Sequence, residues 1–367
     1  MIVEEDPAEP IGGGSARAKR TANSSGEGAL VSRPIKVADR FRGALLGTQV
    51  GDALGMPVEG WPADRIREAF GEVRDMLPAR LGRGTFTDDT QMTAALAEAL
   101  VHIPSLQSPD PDPIARSFAR RFDPKRGYGA NTGRILSEIR GGRHWSDAVA
   151  AHSLPGGSFA NGAAMRVAPA ALAGYPSGRV AARLAVAQAL PTGHSHPESL
   201  FGTAFQAVAV SEALRADPAA VERKRPEFVQ RIVRTATEVV GPGAPPPAFR
   251  PALEFLYSPS LPSAETVRNR IGAGVRAAKS VPAALWAFLA SPGSPEEVLV
   301  RAVGLGEDTD TVAAMAGALA GALNGAQALP ARWVEVLEDG PCGRSHLVEL
   351  ADALLRRARN LGGSPEA

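Results

Sequence analysis

Aromatic side chains are scarce in this chain: Phe, Trp and Tyr together make up 5% of the 367 residues, although 44% of the residues are hydrophobic. The core must therefore be filled mainly by Ala, Leu and Val, which favours closely packed helices over sheets. Cysteine is nearly absent as well. Cys342 is the single one, which excludes an internal disulfide framework and a thiolate metal cluster and makes a reducing, cytoplasmic setting the simplest inference.

The chain also lacks an excess of charge and a long apolar run. Lys and Arg number 40 against 39 Asp and Glu, a formal net charge of +1, so a general phosphate-neutralising surface for nucleic acid is not predicted. The longest apolar stretch, 312–323, is well short of the roughly 20 residues that span a bilayer, and residues 1–6 lack the features of a signal peptide. We expect a soluble cytoplasmic monomer with no membrane or nucleic-acid partner.

The first part of the chain differs in composition from the rest. Residues 1–36 are polar and rich in Gly, Ser and Pro, and such a segment cannot bury enough apolar area to order itself. We predict a disordered N-terminal tail over 1–36, a single domain over 37–362 and a short C-terminal tail over 363–367. The proline-rich segment 241–250 separates two acidic motifs, 87–90 and 308–311, so we interpret it as a surface loop inside this domain.

Beyond residue 37 the pattern is helical throughout. Apolar residues recur at intervals of three and four, helix starts carry caps such as Ser146 and Ser294, and no segment alternates as a strand would. The sequence therefore predicts an all-α fold. The predicted helices are 40–54, 88–102, 113–122, 131–140, 179–190, 197–216, 226–240, 264–278, 295–303, 309–323 and 345–359.

Two of these helices carry glycine at every fourth position. The residues are Gly43, Gly47, Gly51 and Gly55 in the first helix and Gly317, Gly321 and Gly325 at the other. Each glycine in a helix interior costs roughly 1 kcal/mol relative to alanine. A glycine stripe also lets another backbone approach closely, so we predict that the two helices are central and tightly crossed.

Two short motifs combine carboxylates with hydroxyls, Thr87-Asp88-Asp89-Thr90 and Asp308-Thr309-Asp310-Thr311. Each opens an alanine-rich helical segment, where Thr and Asp are also ordinary N-cap residues. A cap needs one such residue, whereas each motif is an unbroken run whose neighbouring carboxylates repel one another. Hard oxygen donors are the ligands that Mg²⁺ and Mn²⁺ prefer, and four carboxylates exceed the need of one ion. The sequence therefore predicts a pair of divalent metal ions.

Motifs along nearly all of the chain resemble the ADP-ribosylglycohydrolase family, the ADP-ribosyl-acceptor hydrolases that include the activating glycohydrolase of dinitrogenase reductase. They follow the family order in the segments 42–47, 50–59, 85–92, 126–129, 157–169, 194–198, 280–286 and 306–321. The resemblance implies a single-domain orthogonal multi-helix bundle that holds two Mg²⁺ or Mn²⁺ ions.

The resemblance also implies roles for residues of both acidic motifs. The implied metal ligands are Thr87, Asp88, Asp89, Asp308, Asp310 and Thr311, which leaves Thr90 and Thr309 without a role. Asp310 would bridge the two metals, and Asp89 and Asp310 would share the proton transfers of catalysis. Glu59 matches a mobile, functionally required glutamate, which would act as a base or as a gate over the metals.

Substrate-binding residues follow from the same resemblance. Backbone N–H groups and the aromatic side chain of a loop would hold the diphosphate and the adenosine, a second loop would lie near the ribose, and a histidine would lie near the diphosphate. The matching residues are Gly157, Ser158, Phe159 and Asn161, then Gly127, Tyr128 and Gly129, and finally His194. Taken alone, His194 in a polar turn is also typical of a capping or surface residue.

The implied activity is cleavage of the glycosidic bond between ADP-ribose and a modified arginine or serine side chain, or a small ADP-ribosylated molecule. The alternatives are a non-catalytic ADP-ribose-binding or structural protein of the same fold, and a di-metal phosphohydrolase. Three positions depart from the family pattern. Glu307 stands where many members have glycine, Lys279 where an acidic residue is frequent, and Phe159 where some relatives have tyrosine; none of the three is an implied metal ligand.

Overall fold

A computed structural model describes residues 35–258 and 260–362, without the side chains of residues 361 and 362. The predicted N-terminal tail lies outside the described residues except for Ile35 and Lys36, and so does the predicted C-terminal tail, 363–367. The described part contains eighteen α-helices and no β-strand, which confirms the all-α prediction.

The helices follow one another along the chain with short connections. They are α1 (Val37–Gly55), α2 (Ala63–Phe70), α3 (Asp88–His102), α4 (Pro111–Arg121), α5 (Ala130–Arg140), α6 (Trp145–His152), α7 (Ala168–Ala173), α8 (Gly178–Ala189), α9 (Pro197–Ala213), α10 (Pro218–Arg223), α11 (Arg225–Val240), α12 (Arg250–Tyr257), α13 (Ala264–Arg270), α14 (Ala277–Ala290), α15 (Pro295–Val303), α16 (Thr309–Asn324), α17 (Ala331–Val334) and α18 (Arg344–Gly362).

Most predicted helices are present, with shifted ends. The prediction of one helix over 264–278 was wrong, because α13 ends at Arg270 and α14 begins at Ala277. Ser294 caps α15 as predicted, whereas the cap of α6 is His144 and not Ser146. No helix range was predicted for the short helices α2, α6, α7, α10, α12 and α17 or for most of α14, although a cap at Ser146 was predicted near the start of α6.

The glycine stripes of α1 and α16 face each other at the centre of the fold. A Cβ atom added at Gly43, Gly47, Gly51 or Gly55 would lie under 3.0 Å from backbone atoms of α16 or of the turn that follows it. All residues of α16 are buried. The predicted central position and close approach of the two helices are therefore confirmed.

The glycine contacts also show how the two helices run. Gly43 lies opposite Gly321, Gly47 opposite Gly317, and Gly55 opposite the start of α16. The helices therefore lie antiparallel along their whole length. We had predicted a tight crossing instead. The contact is extended because a four-residue spacing keeps the glycines on one face for several turns. This packing fixes the C-terminal end of α1 against the N-terminal end of α16.

Candidate active site

The first turns of α3 and α16 open onto a cavity of about 410 Å³. The structure brings most of the predicted site residues to its wall. Those that line the cavity are Glu59, Asp88, Asp89, Gly127, Gly129, Ser158, Asn161, His194, Asp308, Asp310 and Thr311. Residues from opposite ends of the sequence thus share one site.

Four predicted site residues lie behind or beside this wall. The Oγ1 of Thr87 accepts the N–H of Asp89 at 3.2 Å as the N-cap of α3, and the Tyr128 hydroxyl donates to Gln91 Oε1 at 2.7 Å. Gly157 has a left-handed backbone and packs against Ser195. Phe159 is 38% exposed, with the guanidinium of Arg276 5.0 Å from its ring centroid.

Asp52, which the sequence analysis did not select, holds the acidic motif at the start of α3. Its carboxylate is fully buried and accepts the N–H groups of Thr87 and Thr90, each at 3.0 Å, and the Thr90 hydroxyl at 2.6 Å. These contacts satisfy donors at a helix N-terminus that would otherwise be unpaired. The signal that could have revealed Asp52 is that it is the only charged residue in the glycine-striped segment 43–55.

The acidic motif of α16 is held from two sides. The amide of Asn161 donates to Asp308 Oδ2 at 2.5 Å and to Ser280 Oγ at 2.9 Å, so this predicted substrate-binding residue orients a predicted metal ligand. The Thr309 hydroxyl donates to the carbonyl of Gly55 at 2.9 Å. Thr309, like Thr90, therefore has a structural partner, in agreement with its omission from the implied ligands.

Burial raises the pKa of every carboxyl group in the two motifs. Desolvation raises the pKa of Asp88 to about 7, with the charge of Asp52 adding to the effect, and raises the pKa of Asp308 to about 6. The pKa values of Asp89 and Asp310 lie well above the ordinary value, first through burial and then through the other carboxylates. Each group resists ionisation unless positive charge is placed among them.

The acidic cluster has the composition and spacing of a cation site. Oxygens of Glu59, Asp308 and Asp310 all lie within 4.8 Å of one another. Asp89 Oδ2 is buried and has no hydrogen-bond partner among the described residues. A buried carboxylate oxygen without a donor is costly unless it binds a cation, so the residues fit hard divalent ions, which take oxygen ligands.

Other residues of the cavity wall are basic or offer hydrogen-bond donors. Arg166 and His194 line it, and Arg166 is fully buried. The first-turn residues of α5, Ala130–Thr132, line it as well, and α5 has no side-chain cap on its N-terminal N–H groups. Helix N-termini and guanidinium groups attract anions. The cavity therefore combines an acidic end with an end suited to an anionic ligand.

The predicted anion loop at residue 157 is only partly free to bind. The N–H of Gly157 donates to the Leu154 carbonyl at 2.9 Å, and the N–H of Ser158 donates to the Gly193 carbonyl at 2.8 Å. The protein itself uses both N–H groups in this structure, and the role of Gly157 and Ser158 in holding the diphosphate stays a prediction. Ser158 still lines the cavity.

The loop that carries Glu59 is tied to the second acidic motif. The N–H of Gly60 donates to the Glu307 carbonyl at 2.7 Å, and the N–H of Glu307 donates to the Trp61 carbonyl at 2.8 Å. Glu307 has a positive φ of 62°, a conformation that glycine adopts without strain. This explains why the position suits glycine in many family members. The two hydrogen bonds between the segments also keep Glu59, which is exposed, beside Asp308.

The fold and the cavity define a class of helical protein whose pocket pairs a carboxylate cluster with an anion-binding wall. The chain belongs to the ADP-ribosylglycohydrolase family, whose model matches residues 33–363. Membership supports a glycohydrolase that acts on ADP-ribose. Among the described residues, no helix has the length and apolar composition needed to cross a membrane.

Individual relatives cover most of the chain. ADP-ribosylhydrolase ARH3 of Bos taurus is 30% identical over 88% of this chain and 94% of its own length. An uncharacterised protein of Archaeoglobus fulgidus is 32% identical over 86% and 96%. A solved structure described as an ADP-ribosylglycohydrolase-related protein complex superposes with a TM-score of 0.65 at 33% identity, and it covers 88% of this chain and 99% of that one.

Proposed function

We propose that this protein is a hydrolase dependent on two divalent metal ions, Mg²⁺ or Mn²⁺, that cleaves the glycosidic bond of ADP-ribose. The substrate is an ADP-ribosylated arginine or serine side chain of a protein, or a small ADP-ribosylated molecule, and the product is free ADP-ribose. The observation that carries the proposal is that one cavity combines a carboxylate cluster, in which a buried Asp89 oxygen has no partner among the described residues, with Arg166 and His194 in its lining.

The ligands of the proposal are the six oxygen donors Thr87, Asp88, Asp89, Asp308, Asp310 and Thr311. Asn161 and Thr311 support this set from within the protein, since Asn161 donates to Asp308 and the N–H of Thr311 donates to Asp310 Oδ1 at 2.9 Å. When bound, the two cations would polarise the ribose hydroxyls and the attacking water.

The chain's own residues supply the remaining chemistry of the proposal. Cleavage at C1 of a ribose develops positive oxocarbenium character, which neighbouring carboxylates stabilise. Glu59 is the exposed member of the group formed with Asp308 and Asp310, so it is the carboxylate best placed to accept a proton from water. The proton that Glu59 accepts has to reach the leaving group, and Asp89 and Asp310 would share this transfer, since Asp310 lies beside Glu59 and Asp89 lines the same cavity.

The test is incubation of the protein with arginine- and serine-ADP-ribosylated peptides in Mg²⁺, in Mn²⁺ and in EDTA. We expect intact ADP-ribose only when metal is present, and the peptide that is consumed identifies the acceptor. Binding of ADP-ribose without release from any substrate would establish a non-catalytic reader instead. Cleavage at the diphosphate, seen as AMP in the product chromatogram, would establish a phosphohydrolase.

The variant Asp310→Asn tests the metal assignment in the same assay. It removes one charge from the cluster while keeping the side-chain volume, so we expect activity and metal binding to be lost with little change in thermal stability. Asp147→Asn, at an exposed position in the first turn of α6, is the matched control and should keep full activity. Normal turnover by Asp310→Asn would refute the bridging role of Asp310.

A further inference from the structure

Arg166 is a buried cation whose hydrogen bonds all go to neutral groups. Its guanidinium donates to Gln188 Oε1 at 2.7 Å, to the Gly162 carbonyl at 2.7 Å, to the Gln188 carbonyl at 3.2 Å and to Thr192 Oγ1 at 2.8 Å. It also contacts Met92 Sδ at 3.4 Å and lies 4.6 Å from the ring centroid of Phe118, and the charges of Asp88 and Asp89 act on it. Burial lowers the pKa of Arg166 to about 9, which still leaves the group charged at neutral pH.

Thr192 connects this cation to His194. The Thr192 oxygen accepts from Arg166 and lies 2.9 Å from Nδ1 of His194. The hydroxyl has one proton, and its two possible acceptors are His194 Nδ1 and the Ala189 carbonyl at 3.2 Å. That carbonyl already accepts the backbone N–H of His194, and the bond to Nδ1 is the shorter one. A hydroxyl proton directed to Nδ1 makes that nitrogen an acceptor and leaves the ring proton on Nε2.

The far side of the imidazole faces the ligand space. His194 and Gly162 both line the cavity, and a side chain at Gly162 would place its Cβ 2.7 Å from His194 Nε2. No described residue forms a hydrogen bond with Nε2. The atom is also not one of the solvent-inaccessible side-chain atoms without a partner, so it is accessible from the cavity. Burial, and then the charge of Arg166, lower the pKa of His194 to about 3, so the ring is neutral at physiological pH.

We infer that Arg166 and Thr192 are positioning residues that hold His194 as the neutral tautomer with its proton on Nε2, pointing a hydrogen-bond donor at an anionic group in the cavity. The chain of donors runs in one direction, from guanidinium to hydroxyl to imidazole to ligand. Hydrogen bonds aligned in this way polarise one another. The fixed charge of Arg166 thus strengthens the His194 donor without a charged imidazolium in the cavity.

The identification of the anionic group as a diphosphate rests on the proposed function, because the anionic part of ADP-ribose is its diphosphate. The inference explains how an anion is bound although the N–H groups of Gly157 and Ser158 are already in use.

The tautomer is measured in the ligand-free protein by NMR with ¹⁵N-labelled histidine. The chain has 6 His, so a His194→Gln spectrum assigns the His194 signals. We expect the Nε2–H tautomer in the wild type and its loss, by exchange or inversion, in Thr192→Val. Thr203→Val is the matched control, because Thr203 is buried with a hydroxyl that has no partner among the described residues, and it should leave the signals unchanged. A wild-type spectrum with the proton on Nδ1 would overturn the inference.

Ligand binding provides the second readout, by calorimetry with ADP-ribose and with adenosine. We expect Thr192→Val to weaken ADP-ribose binding by roughly tenfold, the scale of one hydrogen bond to a charged group, and to leave adenosine binding unchanged. Equal losses for both ligands would point to a structural defect and contradict a role at the phosphates. If the wild type binds neither ligand, the proposed function fails, and the tautomer measurement alone then decides the inference.

Discussion

Glu307 shows how one backbone angle governs a position in the site. Its φ of 62° places it in the left-handed region, where a residue with a Cβ atom is strained by roughly 1–2 kcal/mol. The two hydrogen bonds that join it to the Glu59 loop hold this conformation. A glutamate in place of glycine at this position therefore lowers stability.

We expect Glu307→Gly to be more stable than Glu307→Ala by about 1 kcal/mol, because only glycine relieves the left-handed strain. Both variants remove the carboxylate, so their difference isolates the backbone. Urea unfolding of the two proteins measures it. Equal stabilities, or a more stable alanine variant, would show that residue 307 leaves the left-handed region in solution.

The two acidic motifs could be predicted from the sequence because their carboxylate and hydroxyl residues form short unbroken runs. Asp52 and Arg166 were missed for the opposite reason. Each is a single charged residue in an apolar segment, and its role depends on partners far along the chain, such as Thr90 for Asp52 and Thr192 for Arg166. Sequence spacing alone does not show which distant donor or acceptor meets such a group.

At the scale of elements, the antiparallel contact between α1 and α16 depends on the absence of side chains. A Cβ atom at Gly47 would overlap the carbonyl of Gly317, so the helices would have to separate. We expect Gly47→Ala to destabilise the protein by roughly 3 kcal/mol or more and to weaken metal binding, because the start of α16 moves with the helix.

Gly133→Ala in α5 is the control for this substitution. The nearest atom to a Cβ at Gly133 belongs to Phe122, at 3.6 Å, an ordinary contact distance. We expect this variant to gain about 0.5–1 kcal/mol from the helix preference of alanine. Thermal unfolding of both variants measures the contrast, and a tolerated Gly47→Ala would contradict the close packing of α1 on α16.

Helix boundaries were predictable where caps and glycines mark them. The prediction was wrong where a contact with a distant residue determines the end of a helix. The segment between α13 and α14 continues a helical apolar pattern, yet Gly272 has a φ of 84°. The carbonyl of Val275 accepts the Asn161 N–H at 2.9 Å, and Val275 lines the cavity. This pairing and the left-handed Gly272 break the predicted helix 264–278. Gly272 was a signal within the segment, whereas the pairing of Val275 with Asn161 could not be read from it.

At the scale of the whole molecule, stability is linked to pH through the carboxylate cluster. The raised pKa values mean that the metal-free fold holds more protons than the unfolded chain between about pH 4 and 7, so its stability falls as the pH rises through this window. Metal ions bind the deprotonated groups. Stabilisation by Mg²⁺ should therefore grow with pH over the same range.

We expect the increase in melting temperature caused by saturating Mg²⁺ to be full near pH 8, to decline between pH 7 and 6, and to be nearly absent at pH 5. If the carboxyl groups had their ordinary pKa values, the increase caused by Mg²⁺ would be lost only near pH 4. Differential scanning calorimetry with and without Mg²⁺ at each pH measures the effect. The contribution of groups outside the site to the melting temperature is the same in both scans and cancels in the difference. Asp310→Asn should show little effect at any pH, and an undiminished wild-type effect at pH 5 would contradict the linkage.

The pairing of α1 with α16 has a consequence for how the chain folds as it is synthesised. The glycine face of α1 has no partner until α16, more than 250 residues later, has left the ribosome. Contacts of such long sequence separation form late. The acidic cluster, which lies at the junction of these helices, therefore assembles only when nearly the whole domain is present, and a chain released early would lack the proposed cation site.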